Sequence, residues 1–151
     1  MTSRTFSVVA AAACLLLPLP ASAGDVGEAL ELKTSKATPS AEITFMGYRA
    51  GASGAGTLFV ELTDTVAVEV SNQGQVVEYK MMGTRVPLKN NKNPLLLREF
   101  DSSALSAVLV PGKKAVTLVV TLRGKVSPQH RVVAHGKGAV LEIDLPALAA
   151  K

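Results

Sequence analysis

The fold follows from one stretch of sequence, Gly56-Thr57-Leu58-Phe59-Val60-Glu61-Leu62-Thr63, in which apolar and polar residues alternate. In an extended strand, Leu58, Val60 and Leu62 share one face. The same alternation returns sixty positions later in Thr117-Leu118-Val119-Val120-Thr121-Leu122. Because period-2 alternation is typical of a half-buried strand, we expect both stretches to send alternate side chains into a common core.

Each of these matching strands is followed by a valine-bearing run, a turn and a closing strand. The closing strands are Val77–Met81 and Leu141–Leu145, which are sixty-four positions apart. This echo predicts an internal repeat. It places four residues of the matching strands in the core, namely Leu58, Val60, Leu118 and Val120.

Turn signals recur along the chain about every eight to twelve residues, which predicts about eight to ten short strands. The fold class we expect is all-β, a sandwich of two pseudo-symmetric, roughly four-stranded sheets. Ala41 to Tyr48 is predicted as the first strand, with Ile43 and Phe45 on one face. Ala115 to Leu122 is uncharged and β-branched, so it is expected in the centre of its sheet. The matching strand that carries Glu61 is expected nearer an edge.

The N-terminus has the pattern of a secretory signal peptide. A positive start with Arg4 precedes an apolar run from Phe6 to Leu19 and an Ala-x-Ala end at Ala23. We expect cleavage after Ala23 and a periplasmic mature chain with no transmembrane segment, because the run is short and broken by prolines. A membrane anchor and lipidation at Cys14 are the alternatives. The domain division is then 1–23 signal peptide, 24–40 flexible lead-in, 41–146 β domain and 147–151 tail.

The composition restricts the classes of function. Cys14 is the one cysteine and leaves with the signal, so the mature chain is expected to have no disulfide and no zinc–thiolate site. Removing Arg4 leaves 15 Lys plus Arg against 12 Asp plus Glu, a net charge of +3. This mild excess of positive charge permits an anionic partner and does not call for nucleic acid.

Several stretches give the chain a family likeness. Val76-Val77-Glu78-Tyr79-Lys80-Met81-Met82-Gly83-Thr84-Arg85 resembles the closing strand and "G-x-R" of an AMIN domain, and Pro94–Phe100 resembles that family's mid-domain crossing. Val116–Leu122, His130–Val133 and Leu141–Pro146 resemble its second half. AMIN domains are exported β domains that accompany N-acetylmuramoyl-L-alanine amidases and type IV pilus secretins. The likeness runs from Ala41 to Pro146. It implies two similar four-stranded sheets and a role in binding or localising to the cell wall. The chain departs from the family at Glu78, where Asp is common, and at Tyr79-Lys80, where Leu-Pro is usual.

Residues able to carry chemistry are few. His130 and His135 are five apart in a strand, so they point to opposite faces and do not chelate one metal as a pair. Glu142 and Asp144 share one face of a regular strand, which favours a solvated face over a pair of glycosidase carboxylates. We therefore predict a non-catalytic protein with no metal and no cofactor.

A run of positive charge between Glu78 and Glu99 contains no acidic residue. Its prolines and asparagines predict a long exposed crossing from Gly83 to Asn93. Amide and cationic groups suit the acetamido and carboxylate groups of peptidoglycan. The candidate ligand-binding residues are Lys80, Arg85, Lys89, Lys92 and Arg98.

Two functions remain open at this point. The first is a module that binds or localises to peptidoglycan. The alternative is a scaffold or assembly protein that binds another envelope protein, such as a secretin or pilus component, through a sheet edge or an outer face. Phe59 and Val119 are the candidate docking residues, because they are apolar, occupy equivalent positions and lie on the polar side of the two matching strands.

Overall fold

A computed structural model describes residues 41–148 of the chain. The predicted signal peptide (1–23) and lead-in (24–40) lie outside the described residues, as do the last three residues of the predicted tail. The described part is all-β, as predicted, with two five-stranded sheets. The strands are β1 (Ala41–Ala50), β2 (Gly56–Leu62), β3 (Val68–Asn72), β4 (Val76–Met82), β5 (Thr84–Arg85), β6 (Leu95–Leu96), β7 (Ala104–Pro111), β8 (Ala115–Leu122), β9 (Gln129–His135) and β10 (Gly138–Leu145). Two short 3-10 turns span Ala52–Gly54 and Lys89–Lys92.

The first sheet has the strand order β5-β1-β2-β10-β9, and the second has the order β3-β4-β8-β7-β6. The central position predicted for β8 is confirmed, since it pairs with β4 and β7. The expectation that β2 lies nearer an edge is wrong, because β2 pairs with β1 and β10. Glu61 is exposed on the outer face of the sheet. That face is open to water, so a central strand tolerates the charge there.

The core lies between the inner faces of the two sheets. Leu58 and Val60 of β2 and Leu118 and Val120 of β8 are fully buried, as predicted. They belong to a single cluster that draws buried residues from both sheets. The ring of Tyr79, on β4, also meets the ring of His130, on β9, with 5.5 Å between centroids. The two sheets therefore pack face to face in a sandwich-like arrangement.

Two strands of two residues each, β5 and β6, bring each sheet to five strands where roughly four were predicted. β5 comes from the segment Gly83–Asn93 that was expected to be exposed, and that expectation is wrong for Thr84 and Val86, which are buried. The Thr84 hydroxyl donates to the Met81 carbonyl at 2.8 Å and accepts from the Val116 amide at 3.1 Å. Hydrogen bonds on both sides of its hydroxyl stabilise Thr84 in the interior.

A β-bulge in β1 changes the predicted face of Phe45. The pairing with β2 shifts between Ile43, opposite Leu62, and Phe45, opposite Glu61, so Thr44 is the extra residue. Ile43 is buried, whereas Phe45 is 49% exposed on the outer face. The prediction that these two residues share a face is therefore wrong. The physical reason is that one inserted residue reverses the alternation beyond it.

Candidate functional site

The bulge in β1 lies beside the 3-10 turn Lys89–Lys92, and a cleft of about 210 Å³ separates the two. The side-chain amide of Asn91 donates to the carbonyl of Thr44 at 2.8 Å, which ties the turn to the bulge. The cleft is lined by Phe45, Met46, Asn90, Asn91, Asn93, Pro94 and Leu95. It combines an exposed aromatic ring with a cluster of amide groups.

Local sequence explains why a turn forms at this position. The backbone amide of Asn91 donates to the backbone carbonyl of Leu88 at 3.3 Å, and the backbone amide of Asn93 donates to the backbone carbonyl of Asn90 at 3.1 Å. The side-chain amide of Asn93 also donates to the side-chain oxygen of Asn90 at 3.1 Å. Asparagine favours such turns because its short amide hydrogen-bonds to nearby groups. Pro94 follows and disfavours helical backbone at Asn93, so the turn ends there.

The outer face of β1 and β2 carries a pair of aromatic rings. Phe45 and Phe59 lie with centroids 5.9 Å apart and planes tilted by 40°. Gly47 stands opposite Phe59 in the register, and a β-carbon built on Gly47 would lie 2.7 Å from both rings. The missing side chain of Gly47 therefore gives the rings room to cover its backbone. The guanidinium of Arg49 lies 5.5 Å from the Phe59 centroid, within the range of a cation–π contact.

The predicted basic residues occupy several parts of the fold. Lys80 is on β4 of the second sheet and pairs with Glu69 at 3.3 Å. Arg85 is on β5 of the first sheet and pairs with Glu42. Arg98 is exposed in the turn after β6, where its carbonyl accepts from Arg123. Lys89 and Lys92 are brought together, at the two ends of the turn that borders the cleft.

Phe59 and Val119 lie on the outer faces of the two central strands. Phe59 stands between Gly47 on β1 and Glu142 on β10. Val119 stands between Val108 on β7 and Glu78 on β4. Each of the two apolar residues therefore has a glutamate as one cross-strand neighbour. Both are partly buried, and they belong to different sheets, so their outer faces point away from each other.

The outer face of β9 and β10 holds a compact ion-pair network. Arg131 contacts Glu142 at 2.6 Å and Asp144 at 2.5 Å. Both carboxylates raise the pKa of Arg131, Asp144 through its hydrogen bond most of all. The other oxygen of Asp144 accepts from the Thr57 hydroxyl at 3.0 Å. Both carboxylates thus serve a surface network of hydrogen bonds and ion pairs.

A larger cleft of about 390 Å³ lies beside Asp144, and its other lining residues are Gly51, Ala55, Gly56, Thr57, Ser127, Gln129, Leu145 and Pro146. Its walls are largely backbone and small side chains, and the carboxylate oxygens of Asp144 already have protein partners. The smaller cleft has more exposed amide groups and an aromatic wall. For this reason we take the cleft at the bulge as the candidate site.

The sequence predicted an exposed crossing over Gly83–Asn93 and named Lys89 and Lys92 in it, but it predicted neither the turn nor the aromatic wall. Phe45 was predicted to share a face with Ile43, and Arg49 was not among the predicted site residues. The available signal was Gly47, because a glycine inside a strand pattern marks a bulge or a close approach. Within residues 41–148, no group of three or more His, Cys, Asp or Glu side chains is arranged to hold a metal ion. Over the same described range, no helix has the length and apolar character needed to cross a membrane.

Comparisons of the chain with protein-family models, with curated proteins and with solved structures found no match.

Proposed function

We propose that this protein is a non-catalytic module of the bacterial cell envelope that binds peptidoglycan at the cleft between the β1 bulge and the turn Lys89–Lys92. In this proposal it is an AMIN-like domain spanning residues 41–146. It is exported to the periplasm after cleavage behind Ala23. The observation that carries the proposal is the exposed Phe45 ring in one wall of a cleft whose other wall presents three asparagines.

The chemistry of the cleft fits an acetamido sugar that bears a peptide stem. Asn90, Asn91 and Asn93 supply amide donors and acceptors for acetamido and hydroxyl groups. Phe45 offers an apolar ring against which the apolar face of a sugar packs. Lys89 and Lys92 add positive charge at both ends of the same turn, next to where stem carboxylates would lie.

The strand order supports the repeat that belongs to this proposal. β1-β2-β10-β9 in the first sheet corresponds to β7-β8-β4-β3 in the second. The neighbours of Phe59 and Val119 correspond as well, with Glu142 matching Glu78 at the sixty-four-residue spacing. We propose that the chain is built from two copies of one four-stranded unit, with β5 and β6 added at the edges.

The experiment compares two double variants in sedimentation with purified peptidoglycan. Lys89→Ala/Lys92→Ala removes two positive charges beside the cleft, and we expect weaker co-sedimentation. Lys113→Ala/Lys114→Ala removes two exposed lysines from the β7–β8 turn and is the matched control. Exposed charges contribute about 0–1 kcal/mol each to stability, so both variants stay folded by circular dichroism. Arg85 is left unchanged because its loss would break the pair with Glu42.

Two further arms test the same site. Wild-type binding falls as NaCl rises, since attraction between exposed charges is screened. Phe45→Ala weakens binding, whereas Val110→Ala, which trims a similarly exposed apolar residue on the other sheet, leaves it unchanged. Equal binding by the lysine double variant, its control and the wild type, all folded, would reject the cleft as the wall-binding surface.

The second candidate function is docking of another envelope protein, such as a secretin or pilus component, on the outer face of the second sheet. Val119 and Val108 are cross-strand neighbours there. Val110 and Leu96 are exposed on the same face, at 48% and 55%. Val119→Lys is then expected to abolish co-purification of an identified secretin or pilus protein, while Thr121→Lys on the same strand does not.

A further inference from the structure

Among residues 41–148, β9 is the longest strand that lies at the edge of a sheet and pairs on one side only. The edges are β5 and β9 in the first sheet and β3 and β6 in the second. β5 and β6 have two residues each, and β3 has five, whereas β9 has seven. β9 contains no proline, and its pairing with β10 runs without a register shift. A long regular edge is a template for pairing with another strand.

The hairpin that joins β9 to β10 decides which backbone groups face outward. Its two central residues are Gly136, with φ of 60°, and Lys137, which fits a II′ turn. The flanking residues His135 and Gly138 are then a hydrogen-bonded pair. Since such pairs alternate along an antiparallel ladder, the amides and carbonyls of His130, Val132 and Ala134 point away from β10.

We propose that β9 pairs with β9 of a second copy of this chain, antiparallel and centred on Val132. The two five-stranded sheets then form one continuous ten-stranded sheet across a twofold axis. Val132 pairs with Val132 of the second copy, and His130 pairs with Ala134 on either side. All three outward-facing residues are then hydrogen-bonded in both copies. This twofold pairing occupies the β9 strand of both copies, so association through β9 stops at a dimer.

The side chains of β9 favour its own copy as the occupant. Arg131 is the only Lys, Arg, Asp or Glu on the strand, and in this register it stands opposite Val133. No like charges therefore meet across the axis. Arg131 already forms ion pairs with Glu142 and Asp144 of its own sheet, and these pairs still compensate its charge in the dimer. Val133, which is 41% exposed, is covered by the aliphatic part of the arginine from the second copy.

Amide hydrogen exchange tests both the pairing and its register on the unmodified mature protein. We expect the amides of His130, Val132 and Ala134 to exchange about tenfold more slowly at ~1 mM protein than at ~10 µM. The amides of Arg131 and Val133, which face β10, are protected at both concentrations. Sedimentation velocity over the same range reports the shift from monomer to dimer. A monomer at every concentration, or a dimer in which these three amides stay unprotected, would overturn the proposal.

A proline variant with a matched control gives an independent test. Ala134→Pro removes an outward-facing amide and leaves the ladder with β10 intact, so we expect a folded monomer. Ala134→Val keeps the amide and is expected to dimerise as the wild type does. A folded Ala134→Pro variant that still dimerises would contradict the model, and the exchange experiment decides the matter if that variant does not fold. The lysine variants of the cleft are distant from β9, so this result is independent of peptidoglycan binding.

Discussion

Single residues decide where polar and aromatic groups lie in this sandwich. Tyr79 is the largest fully buried side chain, and its hydroxyl has no hydrogen-bond partner among residues 41–148. It packs edge to face against His130 between the sheets. Burial raises the pKa of Tyr79 to about 12 from an ordinary value of 10.0. Burying this hydroxyl without a hydrogen bond therefore lowers the free energy of unfolding. The raised pKa also makes the stability of the fold sensitive to alkaline pH.

For Tyr79→Phe at pH 8, we expect the free energy of unfolding to be about 0–1 kcal/mol higher than that of the wild type, because an unpaired buried hydroxyl is removed. The pKa of Tyr79 is higher in the folded state than in the unfolded state, so its ionisation causes no loss of stability below pH 10. Between pH 10 and 12 it lowers wild-type stability by about 1.4 kcal/mol per pH unit. Urea melts of both proteins at pH 8 and pH 11 measure the difference. A constant difference would show that Tyr79 ionises equally well in both states.

At the scale of elements, the two matching strands serve as the central strands of the two sheets. β2 and β8 each have hydrogen-bonded neighbours on both sides and a fully buried inner row. Their outer rows face water and hold threonines, Glu61, Phe59 and Val119. The two faces of one strand thus have very different tolerance for charge.

Two aspartate substitutions on β8 test this difference between the faces. Val120→Asp puts an unpaired charge into the core and is expected to cost about 3 kcal/mol or more. Thr121→Asp changes the outer face of the same strand and is expected to cost less than about 1 kcal/mol. Denaturant melts of the two variants give the comparison. Equal losses would contradict the face assignment of β8.

At the scale of the whole molecule, the two halves of the chain interlock. The first half supplies β5, β1 and β2 to one sheet, and the second half completes that sheet with β10 and β9. The other sheet is formed in the reverse way, from β3, β4 and β6 of the first half and β7 and β8 of the second. Neither half contains a complete sheet, and the core cluster draws on both.

Fragments 41–100 and 101–148 are therefore expected to be unfolded when separate, because β2 lacks β10 and β8 lacks β4. Mixed in equal amounts, they regain the β-sheet circular dichroism of the intact domain. The cut falls in the exposed turn between β6 and β7. Cooperative unfolding by either fragment alone would argue against an interlocked core. The intact domain is expected to unfold in one transition, since a single core connects both sheets.

The candidate site was only partly visible in the sequence. The exposed crossing that contains the turn Lys89–Lys92 was predicted, because asparagine and proline act through local backbone chemistry. The ion pairs of Lys80 with Glu69 and of Arg85 with Glu42 were not, because they join residues on different strands. The outward position of Phe45 was not predicted either. It depends on a bulge at Thr44 that forms only when β1 pairs with β2.

The sequence by itself determined the all-β class and the inner rows of β2 and β8, since side-chain alternation is a local property of an extended strand. It also determined that the uncharged strand β8 lies in the middle of its sheet. Only the tertiary structure decided that β2 is central too, that each sheet takes strands from both halves, and that Phe45 meets Phe59 over Gly47. The physical reason is that strand partners and register are set by contacts between residues far apart in the chain, which no local pattern encodes.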